Sequence, residues 1–102
     1  MGFVQIIEFN TSKYDEMKAV GDEWESAAGS DSKARRRVLC RDRDNDGRYL
    51  NIVFFDSHED AMENSNLPVT QEFSQRLMAL ADGEPRFHNL DIVEDRASEA
   101  RP

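Results

Sequence analysis

Tyr49-Leu50-Asn51-Ile52-Val53-Phe54-Phe55-Asp56-Ser57-His58-Glu59-Asp60-Ala61 is the stretch on which the fold turns. Its first seven residues are rich in β-branched and aromatic side chains and read as a strand. Asp56-Ser57 stops that strand. Ser57 with Asp60 three residues on has the form of a capping box, Asp standing for the usual Glu. A strand therefore runs directly into a helix.

Working upstream, Arg35 to Arg41 is another strand, centred on Val38, Leu39 and Cys40. The turn-rich Asp42 to Gly47 between the two predicts a β-hairpin. Phe3 to Phe9 is a further strand, closed by Asn10-Thr11-Ser12. Thr11 or Ser12 is placed to cap a helix, with Asp15 and Glu16 set against its dipole. Tyr14, Met17, Val20, Trp24 and Ala28 recur at spacings of three and four, one helical face, before Gly29-Ser30. Downstream, the helix that starts near Ser57 should break between Asn64 and Pro68, because the residue before a proline avoids helical geometry. It resumes over 69–81 with Phe73, Leu77 and Leu80 as its apolar face, and Gly83 stops it. Pro85 to Val93 supplies the fourth strand. The order is β-α-β-β-α-β, the plan of a ferredoxin-like α+β domain with an antiparallel sheet and helices on one face. Residues 1–94 form that domain, and the polar, aperiodic 95–102 is expected to be a disordered tail.

A chain of 102 residues is one domain. Its net charge of −8 disfavours nucleic acid and anionic membranes, because binding phosphates requires Lys and Arg to displace counterions. Cys40 is the single cysteine, so no intrachain disulfide can form and a reducing, cytoplasmic setting is expected. Phe3 to Ile7 is strand-length, far short of a membrane span.

Alternation divides each strand into two faces. Val4 and Ile6, then Leu50, Ile52 and Phe54, then Leu90 and Ile92 form purely apolar sets, expected to lie under the helices. The other set is mixed: Phe3, Gln5, Ile7 and Phe9; Tyr49, Asn51, Val53 and Phe55; Phe87, Asn89, Asp91 and Val93. Left in water, its apolar members would exceed the patch a monomer tolerates. The expectation is a homodimer joined through the uncovered sheet face. The polar members, Gln5, Tyr49, Asn51, Asn89 and Asp91, need partners: each other, water, the second subunit, or a small molecule they orient.

With these residues in view the chain resembles the dimeric α/β-barrel superfamily, and within it the antibiotic-biosynthesis-monooxygenase-like group. The resemblance covers residues 3–94. It rests on the element order and on Val53-Phe54-Phe55-Asp56-Ser57-His58-Glu59-Asp60-Ala61, an aliphatic-aromatic strand running through Asp-Ser into a helix. It implies a dimeric barrel with a cavity between sheet and helices in each subunit. Some relatives oxygenate phenolic polycyclic substrates with molecular oxygen and no metal or flavin, so no cofactor is implied. Others degrade haem with an Asn on the first strand and a Trp and a His on the second helical region. Here that strand has Gln5 and only a terminal Asn10, and Phe73 stands near where the haem-ligating His would be. The haem reading is disfavoured.

No catalytic set stands out. His58 at the start of the second helical region and His88 on the fourth strand are the weak candidates for a base. Alternation places His88 under the helices; a slip of one residue would reverse it. Trp24, spaced with Met17, is either core or cavity wall. Gln5, Trp24, Tyr49, Asn51, Asn89 and Asp91 are thus the candidate ligand-binding residues. Asp42-Arg43-Asp44-Asn45-Asp46-Gly47 opens like a calcium loop, but loop position twelve would be Val53, in place of the required Glu, so it reads as a turn and no metal is expected. Arg35-Arg36-Arg37 alternates across the strand and is expected to pair with the acidic first helix or the second subunit rather than form an anion patch. The functional expectation is a cofactor-independent monooxygenase-like enzyme acting on a small aromatic molecule. The alternatives are a non-catalytic small-molecule-binding or stress-associated dimer, and an interaction protein using its acidic surface.

Overall fold

The computed structural model describes residues 2–97. The elements follow the order β1 (Phe3–Asn10), α1 (Tyr14–Ala28), β2 (Arg36–Arg41), β3 (Arg48–Phe55), α2 (His58–Asn66), α3 (Pro68–Leu80) and β4 (Arg86–Asp91), with a short 3-10 turn at Gly29–Asp31. All strand pairs are antiparallel, in the order β2-β3-β1-β4. This is the ferredoxin-like plan. The sheet is open, with β2 and β4 as free edges, so no barrel closes within one chain. Residues 98–102 of the expected tail lie outside the described residues; Glu94 to Ala97 are exposed.

The helices begin and end for local reasons. Ser57 Oγ accepts the backbone N–H of Asp60 at 3.1 Å, the capping contact read from the sequence. The helical break falls at Leu67, and Pro68 opens α3, where its missing N–H costs nothing. Thr11 is a correction. It does not cap α1, whose N-cap is Lys13 with no side-chain bond. Buried at 3% exposure, Thr11 instead ties three segments together. Its hydroxyl accepts from Lys13 N–H at 2.9 Å and donates to the Leu80 carbonyl at 2.8 Å, and its N–H donates to the Gly47 carbonyl at 2.8 Å. Gly47 has φ of +82°, and a Cβ there would stand 3.2 Å from the Thr11 carbonyl, so both conformation and space call for glycine.

The two sheet faces are the reverse of the expectation. Register groups Phe3 and Phe55; Gln5, Val53 and Arg37; Ile7, Asn51 and Leu39; Phe9, Tyr49 and Arg41 on one face. That face lies under the helices. Phe3, Val53 and Phe55 pack with Ala61 of α2 into the buried core, and Tyr14 of α1 stacks on Tyr49 with ring centroids 4.9 Å apart. Val4, Ile6, Leu50, Ile52, Phe54 and Leu90, expected to be covered, form the bare face together with Val38, and none of them is fully buried. His88, paired across from Ile6, is on the bare face too. Alternation reveals which residues share a face, not which face the helices take, and here the mixed set is the covered one.

Candidate functional site

Because β1 and β3 place a polar residue among apolar ones on the covered face, the space beneath α1 and α3 does not fill as a plain core. It opens as a chamber of two adjoining lobes, about 370 and 490 Å3. Ile7, Asn51 and Leu77 line both. The smaller lobe adds Phe9, Tyr14, Met17, Leu39 and Phe87. The larger adds Gln5, Trp24, Val53, Phe55, Asn64 and Phe73. The walls are aliphatic and aromatic with a few fixed polar groups, the composition of a small-molecule site.

Asn51 is the central polar group. Its amide oxygen is buried and has no hydrogen-bond partner. An orphaned buried acceptor costs about 1–3 kcal/mol, so it is retained against a penalty unless something donates to it. The roof above it is held by two contacts between α1 and α3. Trp24 Nε1–H donates to Thr70 Oγ1 at 3.0 Å, and Arg76 meets Glu23 at 2.6 Å. With its N–H engaged, Trp24 offers the larger lobe an aromatic surface.

Of the six residues read as ligand-binding, the chamber brings together Gln5, Trp24 and Asn51. Gln5 Nε2 donates to Asn89 Oδ1 at 3.0 Å, so Asn89 orients Gln5 from β4 without itself lining either lobe. Asp91 is exposed at the end of β4, apart from the chamber. Tyr49 is buried between Phe9 and Tyr14, ring centroids 5.6 and 4.9 Å away, and lines a separate polar groove with Thr11, Arg41 and Asp82. Asn64 was missed. It is 7% exposed, lines the larger lobe, and its Oδ1 accepts from Lys33 N–H at 3.1 Å. Its spacing of three from buried Ala61 was the available signal: the two share the inner face of α2.

Neither histidine lines the chamber. His58 packs edge-on against Phe3, ring centroids 5.1 Å apart. His88 Nε2 lies 2.9 Å from Glu8 Oε1 on the bare face. Arg48 joins them, meeting Glu8 at 3.1 Å and Asp42 at 2.6 Å. The hydrogen bond from Arg48, reinforced by His88, holds the Glu8 carboxyl below its usual range. Asp42 is pulled down to about 2 by bonds from the Asn45 side chain, the Asp44 backbone N–H and Arg48. Asp42 is therefore engaged in closing the β2–β3 turn. Among the described residues no group of three or more His, Cys, Asp or Glu could hold a metal ion. No helix there is long and apolar enough to cross a membrane.

The chamber's carboxylates stand at its rim and face cations: Asp22 meets Lys18 at 3.0 Å, and Glu25 meets Arg37 at 3.4 Å. Within its walls the chain can hold an apolar molecule beside Asn51.

No family model matches the chain, and no curated protein matches it. Solved structures do, and many are antibiotic biosynthesis monooxygenase proteins. SnoaB, a cofactor-independent oxygenase from Streptomyces nogalater, is 19% identical with a TM-score of 0.72 over 98% of each chain. A proposed antibiotic biosynthesis monooxygenase from Caulobacter crescentus is 14% identical, TM-score 0.80, over 91% of each chain. Rv0793 from Mycobacterium tuberculosis is 13% identical, TM-score 0.77, over 95% of this chain and all of that one. At these identities the likeness establishes the fold: that of the antibiotic biosynthesis monooxygenase proteins.

Proposed function

We propose, from the fold shared with the antibiotic biosynthesis monooxygenase proteins, that this chain binds a small, flat, largely apolar aromatic molecule carrying an O–H or N–H donor. The observation that carries the reading is the unpartnered Asn51 amide oxygen on the wall of an apolar chamber. A turn of the Asn51 amide would present it to a phenolic hydroxyl, while the ring would lie against Trp24, Phe73 and Leu77. Likeness to a cofactor-independent oxygenase supports going further: the bound phenol itself supplies all four electrons to molecular oxygen, a ring CH2 becoming C=O while the second oxygen atom leaves as water. The lack of a histidine or unpaired carboxylate among the lining residues favours binding alone as the second reading. Titrating a panel of hydroxylated polycyclic aromatics, with Trp24 fluorescence as the readout, tests the first claim. Saturable quenching is expected, and its absence across the panel would sink the site. Oxygen uptake in the presence of any binder separates the two readings, since a carrier consumes none.

The same proposal includes a homodimer through the bare face. Val4, Ile6, Val38, Leu50, Ile52, Phe54 and Leu90 make one continuous apolar surface across all four strands. Fully burying each would contribute roughly 1.5–3 kcal/mol, so even partial burial of seven favours pairing with a second copy.

A further inference from the structure

The three consecutive arginines of the β2 edge meet three different fates. Arg35 edges the larger lobe but reaches away to Asp56 at 3.6 Å, its side chain 68% exposed. Arg36 turns to the bare face and lies over Phe54, 5.8 Å from the ring centroid. Arg37 points to the covered face, borders both lobes of the chamber, and has a side chain only 31% exposed. Its Nη1 rests against α1 at Gly21, where an added Cβ would be 3.5 Å away. It thus spans from the sheet edge to the helical roof across the chamber mouth.

Its donors are poorly used. The nearest carboxylate, Glu25, stands at 3.4 Å without hydrogen-bond geometry and is 56% exposed. Arg48 shows what an engaged guanidinium looks like in this chain, with hydrogen bonds to Asp42 at 2.6 Å and Glu8 at 3.1 Å. Arg37 also stands diagonally across the sheet from Asn51, since Arg37 pairs with Val53 and Leu39 with Asn51. Such diagonal positions are about 7–8 Å apart, within the span of one bicyclic molecule. An aromatic acid entering the chamber would exchange water for a forked, charge-assisted pair with Arg37.

We infer that Arg37 selects an anionic ligand: the molecule that donates a hydroxyl to Asn51 also carries a carboxylate, on the ring edge facing the β2 mouth, for Arg37 to hold. This rests on the small-molecule reading above and names its substrate class as hydroxyaryl carboxylates. The net charge of −8 would repel such anions at large, so the attraction must be local.

The test compares 1-naphthol with 4-hydroxy-2-naphthoate, which differ by the carboxylate alone, using isothermal titration calorimetry on the native chain. The acid is expected to bind ~10-fold tighter than the naphthol. Arg37→Gln should erase that preference, the acid losing far more affinity than 1-naphthol, and Arg37→Lys should restore part of it. Arg86→Gln, with the same charge change on the bare face and outside both lobes, should leave the preference intact. Equal affinity of native protein for both probes, or equal effects of Arg86→Gln and Arg37→Gln, overturns the inference and leaves the chamber standing. Failure of both probes to bind overturns the chamber reading with it. Circular dichroism of each variant confirms the fold before titration.

Discussion

The two faces of one sheet behave differently although they are made by the same four strands. The covered face mixes Phe3, Val53 and Phe55 with Gln5 and Asn51, and encloses a chamber beneath α1 and α3. The bare face is the more uniformly apolar at its centre, yet no helix lies on it, and Leu90 is 44% exposed. Apolarity by itself therefore does not say where helices pack. The covered face carries its polar groups, Gln5 and Asn51, where the chamber lies rather than where side chains close the core. Under the proposed pairing the bare face meets a second copy, and its apolar centre is ringed by Glu8, Arg48 and His88.

The sharpest way to break the contrast is to charge the bare face. Ile6→Asp puts a carboxylate in its centre, opposite Ile52 and His88. Under the proposed pairing it should weaken self-association by at least ~100-fold, about 2.8 kcal/mol. Light scattering at micromolar concentration reads this directly, and a native protein that is already monomeric would remove the pairing.

The covered face is probed by Asn51→Leu, close in volume. Ligand affinity should drop ~10-fold, while the unliganded fold gains about 1 kcal/mol because the orphaned amide oxygen is gone. Chemical denaturation and titration of the same variant must move in opposite directions; a loss in both would make Asn51 merely structural.

Cys40 separates the faces without a substitution. It is exposed on the bare face, in one row with Leu50 and Glu8. Labelling by a thiol reagent should slow as protein concentration rises through the dimerisation range. A rate independent of concentration would mean that this part of the sheet stays open.

The smallest effect is expected at the hairpin end of the sheet. Asp42 titrates at about 2 when folded against an ordinary value of 3.8, so its ion pair and hydrogen bonds stabilise the fold above that ordinary value. The contribution fades as pH falls from 3.8 through about 2. Asp42→Asn should lower the melting temperature slightly near neutrality, and the deficit should shrink across that acid window. A deficit that stays constant with pH would assign the effect to the turn's shape rather than to charge.

Much of the site was legible in part. Asn51, Gln5 and Trp24 were visible as polar or large groups at strand and helix positions that share a face. Asn89 and Asp91 belong to the same alternating set as Phe87, but of the three only Phe87 lines a lobe: Asn89 is engaged by Gln5 and Asp91 is exposed at the strand end. Tyr49 was captured by aromatic stacking with Phe9 and Tyr14, a contact between β1, β3 and α1 that no local pattern encodes. Asn64 hid at the break between two helical segments, where asparagine ordinarily signals a loop.

The sequence by itself determined the order of elements, the hairpin, the helical break at Pro68 and the grouping of residues into two faces. Each follows from local propensity or from a period of two along a strand. The tertiary structure alone decided which group the helices cover. Period two gives partners but carries no sign, and when both groups are apolar enough to be buried, burial preference cannot supply one. Only the docking of α1, α2 and α3 onto the sheet fixes the phase, and with it the chamber, the position of Arg37 at its mouth and the placing of His88 on the bare face.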